Sequence, residues 1–276
     1  MPDSDWFDLD AYLSRTGWAG GREPDLATLR GVHRAHALAF PFENLDPLAG
    51  EVPSLAPADL MAKMVHGGRG GYCYEQNTLL RLALRALGFE VTGLAGRVVY
   101  GTSEGNSRPR THMMLRVTLP DEPEPYLADV GYGTFGSLLE PVPLAEGEYE
   151  GAGRRHRLVR TAPQEGPLDQ WTLQAWDGDA GDWSAQYAFT LEFFAEIDFE
   201  AFNWYIATSP RSPFVSRAFL HRTTPERSIS LMGGTFMELG ADGRVSQRAL
   251  TDESEAREIV VTEFGLPVPE KVHLLG

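Results

Sequence analysis

Cysteine is nearly absent: the 276 residues contain one, Cys73. An intrachain disulfide and a zinc site built on several cysteines are both excluded. Long apolar runs are missing as well. No stretch approaches the roughly 18–20 residues that cross a bilayer as a helix. The chain starts MPDSDWFDLD, acidic and without an apolar signal core. The expected compartment is therefore the cytoplasm. Positive charge is also scarce, with 24 Lys and Arg against 39 Asp and Glu and a net charge of −15. That balance argues against non-specific binding to nucleic acid or to a membrane surface, and neither is expected as a partner. No repeat of fixed period and no low-complexity tract occurs. What is present is globular in character: 42% hydrophobic and 11% aromatic residues, which excludes global disorder.

The pattern changes along the chain. Residues 1–90 read as helical. Asp8 caps a helix that stops at Gly17, Asp25 caps another that ends before Pro41, a third runs from Pro57 to Gly67, and a fourth from Cys73 to Leu87 with Gly88 beyond its end. Residues 91–190 switch to period two. Strands are expected over 90–100, 112–119, 126–130, 156–161, 171–176 and 185–190. Residues 191–208 look helical again, with Asp198 as cap, and 209–217 hold two prolines that no helix accommodates throughout. Strands near 228–231, 235–239 and 245–250 and a helix over 253–263 complete the chain. Strands grouped after a helical block suggest an α+β fold rather than alternating βαβ units.

The most informative segment is Arg69-Gly70-Gly71-Tyr72-Cys73-Tyr74-Glu75-Gln76-Asn77. Two glycines permit close backbone approach, and a helix then starts. Cys73 falls at or beside that helix N-terminus, where unpaired N–H groups and the dipole favour a thiolate. A lone cysteine is more often a small buried hydrophobe, and both readings stay open at this point.

A reactive thiol needs a base. His36 fits a core position, and His66 lies close before the cysteine loop. His112 opens a strongly alternating strand, where a base is held rigidly. Asp129 stands in an otherwise apolar strand, where burial of an unpaired carboxylate is costly. The loop 120–125 makes these strands an antiparallel hairpin. In any register whose paired numbers sum to an odd value, His112 and Asp129 share a face, and Asp129 can orient the imidazole. Gly131, Gly133 and Gly136 spell GxGxxG after that strand. No long helix and no βαβ unit follow, so a nicotinamide cofactor is not expected. The glycines read as a loop that lets a ligand, cofactor included, approach backbone N–H groups.

These residues resemble the signature of the arylamine N-acetyltransferases of bacterial type. Arg69 to Asn77, Pro41-Phe42-Glu43-Asn44-Leu45, Thr111-His112, Leu127-Ala128-Asp129-Val130-Gly131-Tyr132-Gly133 and Asn203-Trp204-Tyr205 fall in the family's order and approximate spacing. The resemblance covers nearly the whole chain and weakens after about residue 225. It implies a helical domain carrying the nucleophile (1–90), a central antiparallel β-barrel domain carrying His and Asp (91–190), an interdomain helix and linker (191–214) and a C-terminal α/β lid (215–276), with a papain-like Cys-His-Asp site. It further implies ping-pong acetyl transfer from acetyl-CoA to an arylamine, arylhydroxylamine or hydrazine, and a place in xenobiotic metabolism. Cys73 matches the nucleophile, His112 the base and Asp129 its partner. Glu43 and Arg69 match a structural ion pair bracing the loop, and Phe42, Tyr132 and Phe214 match positions lining the acceptor pocket. No metal is implied, and a homo-oligomer is compatible with the family.

The chemistry agrees. Exchange between a thiol and a thioester is nearly isoenergetic, so cysteine suits acetyl-CoA, and an amine then collects the acetyl group. Backbone N–H groups at the start of the Cys73 helix are natural oxyanion donors. Arg154, Arg155, Arg157, Arg211, Arg217 and Arg222 are candidates to meet the donor's phosphates. Two other readings share the Cys, His, Asp order: an amide synthase of the same family closing a polyketide aryl amide, and a transglutaminase-like cysteine hydrolase.

Overall fold

Two aspartates start the first two helices. Asp8 accepts from Ala11 N and opens α1 (Leu9–Thr16), and Asp25 accepts from Thr28 N and opens α2 (Leu26–Ala39). Gly17, at φ 74°, ends α1 in the left-handed region that glycine adopts freely. A short α3 (Leu45–Leu48) follows. The single helix expected from Pro57 to Gly67 is α4 (Pro57–Leu60) continued by a π-helical turn, Met61–His66. The fourth, α5 (Cys73–Ala86), lies where its apolar spacing placed it. The computed structural model describes residues 6–102, 108–163, 166–240 and 243–275; the acidic start, residues 1–5, lies outside them.

Eight strands form one antiparallel, nearly closed, barrel-like sheet: β1 (Glu90–Val98), β2 (His112–Thr118), β3 (Tyr126–Ala128), β4 (Val142–Pro143), β5 (Gly147–Gly151), β6 (Arg154–Thr161), β7 (Gln170–Asp177) and β8 (Asp182–Phe189). Their order is β4-β3-β2-β1-β8-β7-β6-β5. Two strands are shorter than the sequence suggests, for identifiable reasons. The first stops at Val98 because Val99 N and Tyr100 N both turn to Gln186 O. The third stops at Ala128 because the next three N–H groups go to side chains: Asp129 N to His33, Val130 N to Asn77 and Gly131 N to Asp129. The short β4 and β5 carry little apolar alternation and were not legible.

After the barrel-like sheet comes α6 (Glu196–Thr208). Asp198 is not its cap residue; it sits in the first turn and its Oδ2 accepts from Ala195 N at 2.8 Å. A 3₁₀ turn, Pro213–Val215, leads into a second antiparallel sheet of β9 (Phe219–Thr223), β10 (Arg227–Met232), β11 (Thr235–Gly240) and β12 (Val245–Ala249). α7 (Glu253–Ile259) and a π-helical turn, Val260–Phe264, pack on it.

Three hydrophobic clusters result. One joins the N-terminal helices to one face of β1 and β2, one fills the barrel-like sheet, and one lies under β9 and β10 against α7. Leu45 belongs to the last cluster although it comes from the N-terminal part. The segment 41–45 is thus a seam. Phe42 bridges both Gly71 and His221, with Phe42 N donating to His221 O at 2.7 Å and His221 N to Phe42 O at 3.0 Å. Asn44 donates to Phe214 O and Arg217 O, each at 2.8 Å, and accepts from Phe219 N at 2.8 Å. Among the described residues no helix is long and apolar enough to cross a membrane.

Candidate active site

The loop before α5 is shaped by close contact. A Cβ on Gly70 would lie 1.8 Å from Pro41 O, and one on Gly71 2.7 Å from Glu75 Oε2. Gln76 holds the same loop from inside, donating to Pro41 O at 2.9 Å and Gly71 O at 3.2 Å. Tyr72 is the N-cap residue, and Glu75 reaches back to accept from Tyr72 N at 3.1 Å. Cys73 is the first helical residue. It is buried, with Sγ 3.7 Å from Thr111 O.

His112 opens β2, and β2 pairs with β3 in the register Leu115↔Ala128, Arg116↔Leu127, Val117↔Tyr126. This register is of the odd-sum type. Carried one residue further, it sets position 114 opposite 129, so His112 is one diagonal away on the same face. Nε2 of His112 lies 2.7 Å from Asp129 Oδ2, with both side chains buried. The other oxygen, Oδ1, accepts from Asn77 Nδ2 and from Gly131 N, each at 2.9 Å. The Cys73 side chain is close enough to His112 to favour its charged form.

The electrostatics follow from this geometry. Burial pushes the His112 imidazole down, but the Asp129 charge, its hydrogen bond and Cys73 push harder, leaving it raised to about 10. Burial pushes Asp129 up, while the His112 charge and the bonds from His112, Asn77 and Gly131 hold it below the usual carboxylate range. The two shifts agree on an imidazolium–carboxylate pair. Its rings are packed in place: Tyr187 and Tyr132 lie 4.7 Å and 5.2 Å from the His112 ring, centroid to centroid.

Three members of this cluster were not singled out from sequence. Asn77 stands one turn after Cys73 and ties α5 to Asp129, to Met113 O and to Val130 N; the helical i, i+4 spacing from Cys73 was the available signal. His33 holds Asp129 N at 3.1 Å, and burial pushes it down to about 4, so it is a neutral acceptor. Gln76 links the loop to His36 at 2.7 Å. His36 is a core histidine, bonded also to Tyr12, and His66 is exposed.

Glu43 and Arg69 do pair, Nε to Oε1 at 2.8 Å, but within a larger cluster. Arg69 also holds Asp46 at 2.7 Å, and Lys63 holds Asp46 and Glu75, each at 2.6 Å. Burial raises Glu75 to about 7 despite Lys63. The glycine loop is packed from within. A Cβ on Gly131 would meet Cys73 Cα at 2.6 Å, one on Gly133 the Phe42 ring at 2.4 Å, and one on Gly136 Gln186 Oε1 at 2.4 Å. The N–H groups of Gly131 and Gly136 are taken by Asp129 and Thr134. Phe42 and Phe214 face each other at 6.2 Å, and Phe214 lies 5.9 Å from Tyr72. Of the arginines, Arg211, Arg217 and Arg155 are exposed, Arg222 donates to Glu263 O, and Arg157 lies against Trp183. A cavity of about 570 Å³ between residues 52–57, α5 and α6 includes none of Cys73, His112 or Asp129 in its walls.

Comparison with known proteins gives the class. The sequence model of an N-acetyltransferase family matches residues 25–273. The arylamine N-acetyltransferase of Mycolicibacterium smegmatis is 37% identical over 262 residues, covering 94% of this chain and 92% of that protein. The Escherichia coli enzyme of the same name is 33% identical, covering 96% and 91%. The crystal structure of Nocardia farcinica arylamine N-acetyltransferase superposes with a TM-score of 0.89 at 41% identity, covering 97% of this chain and 92% of that one. The Mycobacterium marinum enzyme in complex with CoA superposes at 0.86 and 32% identity, each chain covered to 96%. The chain belongs to the arylamine N-acetyltransferase family and is an acyltransferase.

Proposed function

We propose that this acyltransferase moves an acetyl group from acetyl-CoA to an arylamine, arylhydroxylamine or hydrazine through an acetyl-cysteine at Cys73. The observation that carries this reading is the buried His112–Asp129 pair at 2.7 Å beside a thiol on the first residue of a helix. In the first half, Cys73 Sγ bonds to the thioester carbonyl carbon while His112 holds the thiol's proton. The carbonyl oxygen gains charge, and unpaired N–H groups in the first turn of α5 are suited to receive it. The tetrahedral centre collapses, the bond to CoA sulfur breaks, and CoA leaves with the proton from His112. In the second half the acceptor nitrogen attacks the acetyl carbon, its proton passes to His112, and the bond to Cys73 breaks. Asp129 keeps the imidazole oriented and stabilises its cation.

Phe42, Tyr132 and Phe214 supply aromatic walls for the acceptor ring, and Gly131 lets the loop backbone lie close to Cys73. In this reading residues 1–90 bring the nucleophile, 91–190 the base and carboxylate, and 191–214 connect to residues 215–276 as a lid. The reaction runs in the cytoplasm. The test is intact-mass analysis after exposure to acetyl-CoA alone. One acetyl group on the Cys73 peptide, discharged by an added arylamine, is expected. A protein that never becomes acetylated would sink the proposal.

A further inference from the structure

Helix α2 carries two fully buried histidines, His33 and His36, three residues apart and therefore on one face. Their hydrogen bonds run to opposite halves of the site and force opposite tautomers. Gln76 Nε2 donates to Pro41 O and Gly71 O, so Gln76 Oε1, 2.7 Å from His36 Nε2, is an acceptor. His36 Nε2 therefore carries the proton, and Nδ1 is left to accept from Tyr12 OH at 2.8 Å. Burial pushes His36 down to about 3, in keeping with a neutral ring. Through Gln76, α2 is fastened to the loop that leads into Cys73.

His33 takes the other tautomer. The β3 ladder ends at Ala128, and the main-chain N–H of the fully buried Asp129 needs an acceptor. It donates to His33 Nε2 at 3.1 Å. A backbone N–H only donates, so that ring nitrogen offers a lone pair and the proton of the neutral ring sits on Nδ1. His112, Asn77 and Gly131 hold the Asp129 oxygens. His33 instead holds the main chain from which that carboxylate projects. Because His36 ties the same helix to the cysteine loop, His33 sets Asp129 in the frame of that loop. The titratable groups facing His33 and His112 are Asp129, His36 on α2, Cys73 on α5, Tyr187 on β8 and Tyr132.

We propose that His33 is a positioning residue for the His112–Asp129 pair: its unprotonated Nε2 fixes the Asp129 main chain and so the angle at which the carboxylate meets the imidazole. It acts on the reaction through Asp129. Its place in catalysis rests on the acetyl-transfer reading above, and the test separates the two. The measurement is NMR of 15N-histidine-labelled wild type, His33→Leu and His33→Gln, joined to single-turnover acetylation of the same samples by acetyl-CoA. In wild type, His33 should stay neutral with its proton on Nδ1 from about pH 5 to 8. His33→Leu removes the acceptor. The His112 titration midpoint, about 10 in wild type, should then fall by about one pH unit, the equivalent of one ordinary hydrogen bond. Acetylation should slow by about tenfold. Loss of packing alone would not move the His112 midpoint. Gln Oε1 stands as many bonds from Cβ as His Nε2, so His33→Gln restores an acceptor. It should recover the rate to within about threefold and the midpoint to within about half a pH unit of wild type.

A charged His33, or a proton on its Nε2 in wild type at neutral pH, overturns the proposal even if His33→Leu does not fold. So does a folded His33→Leu whose His112 titrates as in wild type, or a folded His33→Gln no better than His33→Leu. If the His112 midpoint moves as expected but wild type never takes up an acetyl group, the transfer reading fails while the hold of His33 on the pair stands.

Discussion

Asp129 is fully buried and accepts three hydrogen bonds, from His112 on one oxygen and from Asn77 and Gly131 on the other. A carboxylate so arranged keeps its charge in the interior. Asn77→Ala removes one of these donors and two further bonds. It should lower stability by about 2–3 kcal/mol and slow acetylation, measurable by urea unfolding and by rapid-quench kinetics. The His112 pair also predicts a pH dependence. His112 is raised from an ordinary value of about 6.5 to about 10. Its contribution to stability is fully present below the unfolded value and fades as pH rises toward 10. The stability gap between wild type and His112→Gln should therefore narrow between about pH 7 and 10. A gap that widens across that window contradicts the ion pair. Of this residue-scale picture, His112 was legible because it opens an alternating strand, and Asp129 because it interrupts an apolar one. His33 was not, since nothing in a helical pattern indicates a ring nitrogen aimed at a backbone N–H 96 residues away.

At the scale of elements, α5 and its loop are braced by charge from below. Three carboxylates, Glu43, Asp46 and Glu75, share two cations, Arg69 and Lys63. Arg69→Ala leaves Glu43 and Asp46 with one cation between them. A loss of about 3–5 kcal/mol is expected from urea unfolding, as for other broken buried pairs. A stability within about 1 kcal/mol of wild type would deny the bracing role. Gly131→Ala tests the packing of the glycine loop. Its Cβ meets backbone at Cys73, 2.6 Å away, which cannot rotate aside. Acetylation should fall more steeply than stability, read by comparing single-turnover rate with unfolding midpoint. The ion pair was half legible. Glu43 and Arg69 came with the resemblance, but Lys63 sits in a π-helical turn whose departure from α-helical phase hides which face it serves. The strand ends at Val98 and Ala128 were each misjudged by two residues, because the ladder that period two leads one to expect gives way to a shared carbonyl, Gln186 O, after Val98 and to side-chain acceptors after Ala128.

For the whole molecule, the α+β grouping was legible in the switch from period 3.6 to period two, whereas the seam between the N-terminal and C-terminal parts was not. Asn44 forms it with partners 170 to 175 residues away, and a single loop asparagine carries no local pattern. Asn44→Ala should cost about 2–4 kcal/mol and speed proteolysis near residues 209–217, since three bonds are lost together. Phe42 and Phe214 meet across the same seam, their rings 6.2 Å apart, and the account stands on whether this assembly transfers acetyl groups through its only thiol. The most direct measurement is single-turnover acetylation by acetyl-CoA of wild type, Cys73→Ser, His112→Gln and Asp129→Asn, each first shown to be folded. The account predicts rapid formation of one acetyl-cysteine in wild type, none in Cys73→Ser, and rates lower by about 10²–10⁴ in the other two. Acetylation of His112→Gln or Asp129→Asn at the wild-type rate would contradict it.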